Sequence, residues 1–266
     1  MSWKPWIIAK KEIREIIIRS KYILLTTVGM ALLMGVVLPL IMTVLFLGGI
    51  QTTDPIPPEF AVIPEFVPGQ ASMTSGEVMF IFMIYTMIGT FHILVPAMLP
   101  IYIAADSFAG ERERKTVEPL LTTPLSNREL LLGKILTSLI PSIIGSFGGY
   151  GATVAIINIL SWPVFQMIIF PNFSYLLLEL LGAPLIALAG ILLMVIVSTK
   201  VHRVREASQV GGVVILPLMA LMFGQIFGFI AFTMINVLFI LGLIGIGNAA
   251  FYWLAIKIFN REKLVS

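Results

Sequence analysis

His92 and Glu179 are ionisable side chains that interrupt long apolar stretches, and residues 106–134 form a dense run of charge between two such stretches. An acid in the middle of a bilayer costs about 2.5–3.5 kcal/mol on insertion scales, a cost that ordinarily marks function. Glu179 falls toward one end of its stretch, so two readings stand: a side chain seeking the surface, or a group on a pathway or gate. His92 lies in mid-stretch, where an imidazole can exchange a proton or line a pathway, or simply bond between helices. The chain has no cysteine, and its other histidine, His202, lies in a charged segment, so a metal centre at His92 lacks the usual companions.

Other chemistry is excluded by what is missing. Intramembrane proteolysis or lipid transfer needs paired aspartates, a His-Glu-x-x-His helix, or a serine beside a base. The apolar stretches contain no aspartate and no histidine pair. An ion-coupled secondary transporter calls for inverted repeats and several buried acids; Glu179 alone supports it thinly. A phosphate-binding loop needs an upstream glycine and a hydroxyl after its lysine, and Gly133-Lys134-Ile135 has neither. No nucleotide site, cofactor site or nucleic-acid surface is expected in this chain.

The elements that hold these residues are helices in lipid. Hydrophobic residues make up 58% of the 266 positions and charged residues 12%, and the mean hydropathy is +1.02. A water-soluble core cannot absorb that excess, and the long runs lack the alternation of a barrel strand. Runs that can cross the ~30 Å hydrocarbon core occupy residues 23–49, 78–104, 130–160, 175–198, 211–232 and 237–256, the last two parted by a turn at residues 233–236. The expected fold is all-α, a single membrane domain over residues 1–266 with six spans.

All seventeen Lys and Arg residues fall in four segments: six in residues 1–21, five in 112–134, three in 200–205 and three from Lys257 onward. Two spans separate each neighbouring pair of segments, so six spans with both termini inside put every cation on the cytoplasmic face. The outer segment, residues 51–77, carries Asp54, Glu59, Glu65 and Glu77 with five prolines and no cation, as an extended connector would. Trp162 and Tyr175 are expected at the outer interface, Trp253 at the inner. Residues 1–21 place Trp3, Trp6, Ile7, Ile13, Ile16 and Ile17 near one face, with Lys4, Lys11, Glu15 and Arg19 elsewhere; this is an amphipathic helix on the inner leaflet, serving as an anchor or as a docking element. Gly145 with Gly149, and Gly224 with Gly228, have the spacing of close helix packing. Asn158, Gln225, Asn236 and Asn248 are too polar to face lipid and are expected to bond across helix contacts.

Residues 106–134 divide into parts. Glu111, Arg112, Glu113, Arg114 and Lys115 extend the second span into water. Glu118-Pro119-Leu120-Leu121 forms a short amphipathic element with its proline in the first turn, ended by Thr122-Thr123-Pro124. Ser126 and Glu129 have the spacing of a capping box for the third span. Glu111-x-Glu113, Thr116-x-Glu118, Leu120-Leu121, Pro124, Arg128-Glu129 and Gly133-Lys134 together resemble the loop between the second and third spans of the ATP-binding-cassette (ABC) type-2 permease family. Lys115 stands where many members have glycine. Arg205-Glu206-Ala207-Ser208-Gln209 is similar to the inner loop before the fifth span of the same family.

The resemblance implies the membrane subunit of an exporter in the cell membrane, driven by a separate ATPase subunit that holds ATP and Mg, and paired with a second permease copy or homologue. It implies that Thr116, Glu118, Pro119, Leu120 and Leu121 form a coupling helix docked on the ATPase. Glu111, Glu113 and Arg114 form a polar latch beside it, and Arg205 and Glu206 belong to the second inner loop.

Overall fold

The structure is a computed structural model that describes residues 4–18, 21–49, 73–110, 113, 126–201, 203–227, 230 and 233–258. Those residues form helices and no strands. Six helices are long and apolar enough to cross a membrane: Leu24–Gly48, Ser75–Gly110, Asn127–Phe165, Phe173–Ser198, Val204–Gln225 and Met234–Ile258. They are called the first to sixth spans below. An N-terminal helix, Lys4–Glu12, continues through a wider turn, Ile13–Ile18.

The second, third and fourth spans form the centre. Their apolar windows are 65%, 50% and 56% buried against protein, whereas those of the first, fifth and sixth are 17%, 22% and 17% buried. The peripheral spans therefore present apolar surface such as Leu25, Leu45, Leu216, Phe239 and Ile246 outward, the arrangement expected where lipid is the solvent. At ~1.5 Å per residue, the 39-residue third span and the 36-residue second span exceed the ~30 Å hydrocarbon core. Both project beyond it.

Local sequence explains where helices start, stop and touch. Thr74 with Glu77 and Ser126 with Glu129 form reciprocal capping boxes at the second and third spans, each satisfying amide groups that a helix start leaves free. The third span stops at Gln166, whose φ of 51° is left-handed. Between the third and fourth spans, Asn158 takes the amides of Ile169 and Phe170 and donates to the Phe170 carbonyl, so this asparagine pins a loop rather than a second helix. Tyr175, expected at the interface, is buried: its hydroxyl donates to the Tyr85 carbonyl at 2.8 Å and accepts from Gln225. Gly89 makes room for its ring.

The fifth span begins at Val204, before the apolar run that announces it, because Val204–Gly211 is an amphipathic helix continuous with the span. It ends at Ile226, and the chain folds back so that Ile230 donates its amide to the Gly224 carbonyl and packs on that glycine. The sixth span then starts at Met234, with the Thr233 hydroxyl accepting from the Asn236 amide. Residues 234–236, expected in the turn, are thus already helical, and Gly224 packs on Ile230 rather than at a helix crossing.

Candidate functional site: two buried ionic clusters and a loop-to-loop cap

The first cluster sits where the N-terminal helix meets the ends of the second and third spans. Glu12, Ser107 and Lys134 are all buried. The Lys134 ammonium lies 3.2 Å from Glu12 Oε1 and donates to the Ser107 carbonyl at 2.7 Å. The Ser107 hydroxyl donates to Glu12 Oε2, also at 2.7 Å, and the ring of Phe108 lies 5.4 Å from the ammonium. A buried lysine without its anion would cost several kcal/mol; here charge and hydrogen-bonding capacity are both met. Gly133 is part of the same joint, since a Cβ there would come within 2.8 Å of Ile8. Lys4 and Glu129 add a more exposed ion pair at 3.7 Å. Residues 4, 8 and 12 thus meet 129, 133 and 134 in order, and the N-terminal helix runs alongside the start of the third span.

This helix turns a different side inward than its apolar residues suggest. Pro5, Ala9 and Glu12, at helical spacing, face the protein, while Trp6 and Ile7 point outward. The outward pair remains available to lipid.

The second cluster brings together the two side chains that the sequence singled out separately. Glu179 does not reach for the surface: it is 5% exposed, and its Oε1 accepts from the Ser146 hydroxyl at 2.7 Å. His92 Nδ1 lies 3.3 Å from Glu179 Oε2, close enough for charge attraction but not aligned as a hydrogen bond. Neither imidazole nitrogen has a hydrogen-bond partner, and the same holds for the buried hydroxyl of Tyr150, whose ring meets the imidazole edge-on at 5.2 Å. Second, third and fourth spans each contribute to this site. Gly149 admits it, because a Cβ there would stand 3.3 Å from His92 Nε2. Among the described residues no group of three His, Cys, Asp or Glu side chains could hold a metal ion.

The third feature joins two loops. Glu113, exposed and three residues beyond the second span, accepts from the Val204 amide at 3.0 Å. Arg205 and Glu206 lie in the helix that Val204 begins, both exposed. Glu111, Arg114, Thr116, Glu118, Pro119, Leu120 and Leu121, together with His202, lie outside the described residues.

Of the expected site residues, the structure brings His92 to Glu179, and Glu113 to the loop that carries Arg205 and Glu206. Sequence reasoning missed Glu12 and Ser107 as partners of Lys134. The available signal was the helical register of Pro5, Ala9 and Glu12, small residues with one acid on a single side.

Residues 6–258 match the sequence profile of the family described as ABC-2 family transporter protein. Among curated proteins none matches the chain.

Proposed function

This chain belongs to the ABC-2 transporter family and is a multi-pass membrane permease component without an ATP site of its own; from that premise we propose that it exports cargo when driven by a separate ATPase subunit gripping residues 106–134. The observation that carries the proposal is the joint at the two rims of that loop. Ser107 and Lys134 are tied to each other and to Glu12 of the N-terminal helix. A push on the loop is then passed to two long spans that are joined at its rims.

In this reading Thr116, Glu118, Pro119, Leu120 and Leu121 form the docking element, and Glu111 and Arg114 flank it. Both termini and the four cation-rich segments face the cytoplasm, following the positive-inside tendency. ATP and Mg belong to the partner, which performs the hydrolysis. A second permease copy or homologue completes the pathway, and His92 with Glu179 lies along it. The lack of charge on most spans suits an amphipathic or lipid-like cargo.

The test is copurification from detergent of the tagged chain with an ATPase subunit. Glu118→Arg and Leu121→Asp are each expected to abolish co-elution while leaving the permease monodisperse. Retention of the ATPase by both variants would remove residues 118–121 from the interface. Transport by the isolated chain that follows a proton gradient would favour the ion-coupled alternative, for which the buried His92 and Glu179 pair is the relevant feature.

A further inference from the structure

The N-terminal helix turns its acid inward and its cations outward. Glu12 is buried against Lys134, while Lys10, Lys11 and Arg14, each within two residues of it, are exposed. Among the described residues no acid forms an ion pair with any of the three, the exposed Glu15 included. Trp6 and Ile7 stand one turn ahead of Lys10 and Lys11 on that outward side, 46% and 52% exposed. Three cations without a protein counter-ion thus share a face with two bulky apolar side chains.

The joint at Lys134 fixes the depth of this face. Lys134 is the last charged residue of the third span before an uncharged stretch that runs to Phe165, and Asp106, beside Ser107, is the first acid of the second span after Glu77. Glu12 touches both Ser107 and Lys134, so it lies where two spans leave their apolar stretches. At ~1.5 Å per residue, Lys10, Lys11 and Arg14 fall within about 3 Å of that level along the helix. Phospholipid headgroups occupy this zone. Ile8 and Ala255 of the sixth span belong to one apolar cluster, and two residues past Ala255 the Lys257 ammonium lies 5.0 Å from the ring of the exposed Trp253. An aromatic ring paired with a cation is the usual anchor at headgroup level.

We propose that Lys10, Lys11 and Arg14 form a binding site for anionic phospholipid in the leaflet beside the N-terminal helix. The cations hold the lipid phosphates, and Trp6 with Ile7 packs on the boundary between headgroups and acyl chains. Charge at phosphate depth with apolar side chains beside it suits a lipid, whose headgroup and chains answer both. An acidic protein surface answers only the charge. The site stands whether or not an ATPase subunit docks on residues 106–134.

Native mass spectrometry of the full-length chain purified in detergent tests the site, with phosphatidylglycerol and phosphatidylcholine as probes. The chain should retain phosphatidylglycerol in preference. Lys10→Gln combined with Lys11→Gln and Arg14→Gln should weaken that binding at least about tenfold, since each cation near an anionic surface is worth about fivefold. Glutamine preserves helix propensity, and the contacts of Glu12 are untouched. Lys10→Arg with Lys11→Arg keeps the charge and should bind as the parent does. Lys200→Gln with Arg203→Gln and Arg205→Gln removes the same charge from another exposed segment and should retain most of the binding. Soluble glycerol phosphate should not displace the lipid. Unweakened binding in the first triple variant, equal loss in the second or in the arginine variant, or displacement by glycerol phosphate would each overturn the proposal.

Discussion

Lys134 illustrates how a single residue in this protein carries more than its position suggests. Its ammonium is 1% exposed and bound by Glu12 and Ser107 from two other elements. Removing one member of such a pair strands the other in a poorly solvated place, at a cost of roughly 3–5 kcal/mol. Lys134→Met should therefore lower the thermal midpoint of the detergent-purified chain sharply. Glu12→Leu combined with Lys134→Met should recover much of that loss, because no buried charge then lacks a partner. A double variant no more stable than Lys134→Met would show that the pair's charge is not what holds the joint.

At the scale of the element, the crossing of the first and third spans shows proline, glycine and threonine acting together. Pro39 has no amide to offer the Gly35 carbonyl four residues earlier, and the local turns widen at Leu33–Val37. The Thr153 hydroxyl donates to that carbonyl at 3.1 Å. Gly35 and Gly149 let the backbones approach so closely that a Cβ on Gly35 would lie 2.5 Å from Gly149 Cα. Small residues permit such contact in lipid, where packing must replace the hydrophobic drive between helices. Gly35→Leu should push these spans apart and lower the thermal midpoint, by about 1–3 kcal/mol or more in stability. Gly148→Leu and Gly151→Leu, at positions with open space, should leave the midpoint nearly unchanged, within about 0.5 kcal/mol. Equal effects at Gly35 and Gly148 would contradict this crossing.

For the whole molecule, a central trio of spans with three peripheral ones divides rigidity from freedom. The N-terminal helix, and with it the approach to the first span, is bound at Lys134; the fifth span is bound at Glu113. Two peripheral elements are thus fastened beside the same loop. This makes sidedness the decisive global property. In the cysteine-free chain, Lys115→Cys should resist a membrane-impermeant maleimide in intact cells, while Glu65→Cys in the opposite loop should react. Labelling at position 115 from outside would invert the proposed topology and remove an intracellular motor from consideration.

Membrane class and span number were legible from residues alone, for physical reasons that act locally. Twenty apolar residues in a row match the thickness of a bilayer, and Ser126 with Glu129 caps whatever helix follows them. Pairings between elements were not legible in this way. Nothing in the spacing of His92 and Glu179 says that their helices turn these side chains toward each other, and Glu12 reads as one more charge on a surface helix until Lys134 is seen beside it. The same holds for Glu113 and Val204, which only meet because the second and fourth spans bring their loops together. Lipid imposes the spans through hydropathy, which each segment carries by itself, whereas partner choice among buried polar groups depends on helix rotation and close approach, and those are decided only when the bundle packs.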